Sequence, residues 1–140
     1  MVKLLIGHKG SGKTKKMIDL ANECVETAMG SIVFINKNSR LIYDLGHKIR
    51  VICMEDFPHI TNVDEYIGFI FGIMSSDSDI QTIFLDGVMR HRDFALEVLP
   101  GFLDKIKTVS KETGIEFVIS VSAELEEMIG VDFDDIEVLN

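Results

Sequence analysis

Cysteine is scarce in this chain: Cys24 and Cys53 are the only two, and they do not form a C-x-x-C pair. A small secreted domain stapled by disulfides needs more, so both are expected to be reduced core thiols. Metal-ligand spacing is missing as well. The four histidines, His8, His47, His59 and His91, stand singly, and no Cys or His falls at the intervals of a zinc site. Long apolar runs are also absent. The longest, Tyr66 to Met74, is far short of the ~20 residues a helix needs to cross a bilayer, so no membrane partner is expected. Met1 to Ile6 is too short for the apolar core of a secretion signal and runs straight into a glycine loop. The expectation is a cytoplasmic protein.

Positive charge is in deficit, with 14 Lys/Arg against 23 Asp/Glu and a net charge of −9. That argues against a general nucleic-acid binder, which neutralises phosphates with a surplus of Lys and Arg. The deficit is uneven. Residues 1 to 60 hold nine Lys/Arg against six Asp/Glu, whereas residues 61 to 140 hold five against seventeen. An anionic ligand therefore belongs with the first half. The acidic run at the C-terminal end, from Glu124 to Glu137, reads as a solvated face, its other use being to receive a basic protein partner.

What is present is a globular composition. The 140 residues are 46% hydrophobic and 26% charged, the size and make-up of one domain with one core, and residues 1–140 are expected to fold as a single nucleotide-binding unit. Short apolar runs at 2–6, 31–35, 49–54, 82–86, 116–121 and 136–139 predict strands, the last at a sheet edge. Apolar residues at helical spacing predict helices from Lys15 to a stop at Gly30, from Val63 to Met74, and from Ala95 to Val109 with Pro100 beginning or kinking the main segment. Short helices are expected near 41–45 and 123–129. Strands alternating with helices predict an α/β three-layer sandwich with a mainly parallel central sheet, whose ligands bind beyond the carboxyl ends of the strands.

After the first strand comes Gly7-His8-Lys9-Gly10-Ser11-Gly12-Lys13-Thr14, which fits G-x-x-x-x-G-K-S/T at every fixed position. Glycines permit positive φ and remove Cβ atoms, so consecutive backbone N–H groups can turn inward around a phosphate. A helix starting near Lys13 adds its unpaired N–H groups and the positive end of its dipole. Lys13 is then placed to reach the β- and γ-phosphates, and the Thr14 hydroxyl to ligate Mg²⁺. The nucleotide-binding segment is taken as Gly7, His8, Lys9, Gly10, Ser11, Gly12, Lys13, Thr14 and Lys15, with His8 and Lys9 at variable positions. Thr82-Ile83-Phe84-Leu85-Asp86 is an apolar strand ending in a carboxylate, the form of a Walker B strand whose Asp holds magnesium through water.

On Gly7 to Thr14 and Thr82 to Asp86, the sequence resembles the P-loop NTPase superfamily. It resembles more closely the RecA-like branch, in which an extra strand lies between the loop strand and the Walker B strand. The whole chain is similar to small bacterial ATP-binding proteins that automatic naming sometimes calls twitching-motility ATPases. Motility ATPases proper are much longer and carry acidic and histidine boxes absent here, so that function is not carried over. The resemblance implies a P-loop NTPase fold of RecA-like type and binding of ATP with Mg²⁺ at Thr14 and Asp86.

The carboxylate that orients the attacking water is not in either usual slot. Gly87 follows Asp86, and Asn36, Lys37 and Asn38 follow the second strand. Glu55 and Asp56 at the end of the third strand are the remaining candidates, which makes Lys13, Asp86 and Glu55 the expected catalytic set. Ser120 and Ser122 are candidate sensors of the γ-phosphate, and Arg90 or Arg92 in "MRHRD" a candidate arginine contact, in cis or to a second subunit. The reading is an Mg·ATP-binding protein with weak or partner-stimulated ATPase activity, a nucleotide-dependent switch with a protein partner or a second copy of itself. The alternatives are a thymidine-kinase-like nucleoside or nucleotide kinase, although Gly87 and the missing zinc site depart from that pattern, and a non-hydrolysing interaction protein stabilised by ATP or ADP.

Overall fold

The computed structural model describes residues 1–88 and 94–140. Arg90, His91 and Arg92 lie outside them. Six strands form one parallel sheet: β1 (Val2–Gly7), β2 (Ser31–Asn36), β3 (Arg50–Cys53), β4 (Ile80–Leu85), β5 (Glu116–Ser122) and β6 (Ile136–Val138). Their spatial order is β3-β2-β4-β5-β1-β6. Among the described residues there are three α-helices, α1 (Lys13–Thr27), α2 (Val63–Ser76) and α3 (Leu99–Thr113).

Side chains alternate across each strand, and here both faces are apolar. Leu5, Ile32, Phe34, Phe84 and Val118 point to one side and pack with Met17, Ile18 and Ala21 of α1. Leu4, Ile6, Val33, Ile35, Ile83, Leu85, Phe117 and Ile119 point to the other and pack with Tyr66, Ile67 and Ile70 of α2 and Leu99, Phe102 and Ile106 of α3. The result is a three-layer α/β sandwich. Burying each of these large side chains contributes roughly 1.5–3 kcal/mol. Because the two clusters lie on opposite sides of the sheet, the strands are continuous apolar runs, as a doubly covered parallel sheet requires.

The segment "YIGFIFGIM" resolves as helix: Tyr66, Ile67, Ile70 and Ile73 are its buried positions, and that spacing forms one face of a helix but both faces of a strand. Pro100 begins α3, in its first turn, where a missing N–H costs no hydrogen bond. The expected helix over 123–129 is a single 3-10 turn, Leu125–Glu127. Glu124 and Glu127 cap each other there, closing the turn after three residues. The segment expected near 41–45 is likewise one 3-10 turn, Ile42–Asp44.

All six strands run the same way, so their carboxyl ends share one edge. Gly7 lies beside Ser122, and Asn36 beside Cys53. The chain leaves β2 toward β3 and leaves neighbouring β4 in the opposite direction, toward β5. That reversal opens a crevice between β2 and β4, the place where open α/β sheets bind ligands. No helix among the described residues is long and apolar enough to cross a membrane.

Candidate functional site

The glycine loop joins the end of β1 to the start of α1. A Cβ on Gly7 would sit 2.7 Å from Ser11 Oγ, so a larger residue there would require the Ser11 hydroxyl to turn away. Gly10 and Gly12 both have φ +85°, with nothing within 4 Å of where a Cβ would stand. Their requirement is the left-handed backbone itself, which L side chains avoid. Ser11 N–H donates to the His8 carbonyl at 3.2 Å and closes the turn.

Lys13 is only 8% exposed. Its ammonium donates to the Gly7 carbonyl at 2.7 Å and the His8 carbonyl at 2.8 Å, with Ser11 Oγ at 3.5 Å. These contacts offset the cost of taking the charge out of water and hold it against the loop. His8 is exposed and its Nδ1 lies 3.0 Å from Glu124 Oε1, while Lys9 and Lys15 reach solvent.

Helix α1 begins without the usual help. Gly12 is its N-cap, no side chain caps it, and its first turn holds no acidic residue. Lys13, Lys15 and Lys16 occupy that turn instead. Cations at the positive end of a helix dipole are unfavourable, so the sequence gathers there both N–H groups and charge that suit an external anion.

Asp86 directly follows β4 and is 6% exposed. Its N–H donates to the Ile35 carbonyl at 2.9 Å. Ser120, fully buried on β5, donates to Asp86 Oδ1 at 2.7 Å and accepts from Gly87 N–H at 2.8 Å. The Ser120 hydroxyl is thus committed to positioning Asp86, whereas Ser122, one strand turn further, lines the loop cavity. Tyr66 is buried near Asp86, and burial, then the negative charge of Asp86, holds its phenol well above the ordinary tyrosine range. It stays a neutral O–H.

Three cavities meet at Asp86 and Gly87. The first, about 300 Å³, runs along the loop and is lined by Gly10, Gly12, Lys13, Thr14, Lys15, Asp86, Ser120 and Ser122. The second, about 190 Å³, holds Thr14, Asn36, Lys37, Asn38, Arg40 and Asp86. The third, about 380 Å³, lies toward β3 and is lined by Lys37, Met54, Glu55, Phe57, Pro58, Ile60, Tyr66, Asp86 and Val88. The structure therefore brings Lys13, Thr14 and Asp86 around one space. Glu55 faces a neighbouring one, and Asp56 lines neither.

Asn36, 4% exposed, ends β2, and its side-chain oxygen accepts the Lys37 N–H at 2.7 Å. It occupies a slot where the sequence carries no carboxylate and lines the cavity holding Thr14 and Asp86. Three further lining residues escaped sequence reasoning. Tyr66 was readable only as an inward residue of α2, and its hydroxyl was the signal. Arg40 belongs to the basic half of the chain but to no motif. Leu41, which lines both smaller cavities, holds φ 64°, a left-handed conformation that a leucine does not announce.

A triphosphate with magnesium fits these residues. The loop leads into a helix start that no side chain caps and carries a buried ammonium, and Thr14 and Asp86 share the two smaller cavities. Among the described residues no three His, Cys, Asp or Glu side chains converge on a metal position. Magnesium is commonly held by one or two protein oxygens, substrate phosphates and water, and a hydroxyl with one carboxylate meets that need. No protein-family model matches the chain, and neither a curated protein nor a solved structure matches it.

Proposed function

We propose that the chain is an Mg·ATP-binding P-loop protein of RecA-like type, with weak or partner-stimulated ATPase activity, working as a nucleotide-dependent switch. The observation that carries this reading is the loop Gly7 to Thr14 at the carboxyl end of β1, its Lys13 sharing a cavity of about 300 Å³ with Asp86. The strand order supports the RecA-like assignment, because β5 lies between β1 and β4. In this reading the N–H groups of Gly12, Lys13 and Thr14 hold phosphate oxygens, Ser11 N–H being engaged by the His8 carbonyl, and Lys13 neutralises the terminal ones. Thr14 and Asp86 hold the magnesium side, with Ser120 fixing the carboxylate. Bound Mg·ATP supplies the transferable phosphoryl group and the metal charge that stabilises it.

Slow turnover follows from what surrounds that point. Asn36 can orient a water molecule through its amide but cannot accept a proton. Glu55 can accept one, yet lines the adjoining cavity, so hydrolysis requires water to bridge the two or a partner to bring them together. A base within direct reach is worth 10²–10⁴-fold in rate. Without one, turnover is expected at the low end.

The test is binding of Mg·ATP followed by phosphate release, with Lys13→Ala, Asp86→Asn double-variant protein as the contamination control. Mg·ATP at about 100 times its Kd is expected to stabilise the fold by ~2.7 kcal/mol, and Lys13→Ala to weaken binding at least tenfold. Unchanged affinity in Lys13→Ala would overturn the reading. Tight binding with no release above the control would instead favour a nucleotide-stabilised interaction protein.

A further inference from the structure

The largest of the three cavities is lined by no residue of the glycine loop. It is about 380 Å³, within the size range of small-molecule sites, which combine mostly apolar walls with a few convergent polar groups. Met54, Phe57, Pro58, Ile60 and Val88 supply the walls. Phe57 stands at the mouth, 42% exposed, its ring centroid 5.0 Å from that of Phe69. Asp86 and Tyr66, both buried, line it as well. Lys37 and Glu55 are exposed, and among the described residues neither side chain has a hydrogen-bond or ion-pair partner.

The position is as informative as the lining. Lys37 follows β2 and Asp86 follows β4, the two strands whose connections diverge, so the cavity opens at the switch point of the sheet. Among the described residues it shares only Asp86 and Gly87 with the loop cavity. Among the described residues its charged lining is two carboxylates, Glu55 and Asp86, against one ammonium, Lys37. These charges disfavour an anionic ligand, and a neutral one with an apolar ring and a hydroxyl matches the apolar walls and the few polar groups among them.

We propose that this cavity binds a neutral ring compound bearing a hydroxyl, set beside Asp86 as the acceptor of a phosphoryl group. Binding depends on the cavity alone; the acceptor role rests on the nucleotide reading above. In the transfer the hydroxyl oxygen bonds to the γ-phosphorus and the bond from that phosphorus to the β–γ bridging oxygen breaks. ADP leaves with the electron pair, and the hydroxyl proton passes to the Glu55 carboxylate and on to water. An apolar ligand also displaces water from Asp86, which favours this acceptor over hydrolysis.

The experiment is a titration of methyl-labelled protein with benzyl alcohol and thymidine, and with thymidine 5′-monophosphate as the anionic counterpart, in wild-type and Lys13→Ala protein. Saturable shifts are expected at the Met54, Ile60 and Val88 methyls and not at Met17, which lies under α1 on the opposite face of the sheet. At least one neutral probe should bind tenfold or more tightly than the monophosphate, equally in both proteins. Ile60→Phe, which fills the cavity, should weaken that probe at least tenfold, as should Phe57→Ala at the exposed mouth. Shifts no larger at Met54 than at Met17, or tighter binding of the monophosphate, overturn the site. Wild-type protein given γ-labelled Mg·ATP and a bound neutral probe should place label on the probe. Absence of label overturns the acceptor role, and binding in Lys13→Ala protein shows separately whether the cavity or the nucleotide reading has failed.

Discussion

Two helices of this domain begin in opposite ways. Helix α2 starts with Asn62, whose side chain accepts from Glu65 N–H at 2.9 Å, and Asp64 and Glu65 fill its first turn. The Glu65 carboxylate reaches back to the N–H and hydroxyl of Thr61 at 2.9 and 3.0 Å. A side-chain cap, an acidic first turn and a carboxylate reaching back over the start are all used. Helix α1 uses none of them: a glycine cap at φ +85°, no side-chain acceptor and three lysines in or beside the first turn. Both helices cover the same sheet, so a general weakness in helix signals does not explain the contrast. A start with no side-chain cap and several lysines is the kind that the proposed nucleotide site calls for.

The sharpest way to break the contrast is Gly12→Ala. Its methyl meets no atom, yet the left-handed backbone strains it by about 1–2 kcal/mol. The variant should melt lower by thermal denaturation, and its Mg·ATP affinity should fall because relief of the strain turns the N–H groups away. Equal stability and affinity would mean that the loop does not hold this conformation. Asn62→Ala is the matching test on α2. Loss of a helix cap costs ~1 kcal/mol, so its melting temperature should fall by a similar amount, while the rise on adding Mg·ATP stays as in wild type. A changed nucleotide response there would show that the two helix starts are not independent.

The central strands β1, β2, β4 and β5 were legible because both faces of each carry Ile, Val, Leu or Phe, with few polar interruptions to confuse their reading. The loop was legible because positive φ leaves few residues able to stand at positions 10 and 12. The space beside Asp86 was not legible. Met54, Phe57 and Ile60 come from a turn after β3, Tyr66 from α2 and Val88 from beyond β4, so no spacing in the chain relates them. The Ser120 contact to Asp86 was half visible: the polar residue in an apolar strand could be singled out, but its partner is set by the pairing of β4 with β5. Single 3-10 turns at 42–44 and 125–127 replaced the expected short helices, since isolated helices so short gain too few hydrogen bonds to offset their nucleation.

The smallest expected effect is also the one that best separates the two designs. Lys16 lies in the first turn of α1, is exposed, and lines neither the loop cavity nor its neighbours beside Asp86. Lys16→Glu replaces a cation at the positive end of the helix dipole by an anion, which by itself stabilises such a position by about 0.3–1 kcal/mol. Without nucleotide the variant should therefore melt slightly higher than wild type. With Mg·ATP the order should reverse, because the new carboxylate repels the phosphates and the stabilisation on binding shrinks. Crossing of the two melting curves as nucleotide is added is the predicted signature, strongest at low salt, where surface charges are least screened. If Lys16→Glu instead lowers stability in the absence of nucleotide, then the lysines serve the helix itself. The positive start of α1 would then have an internal cause, and the case for an external anion would rest on the loop alone.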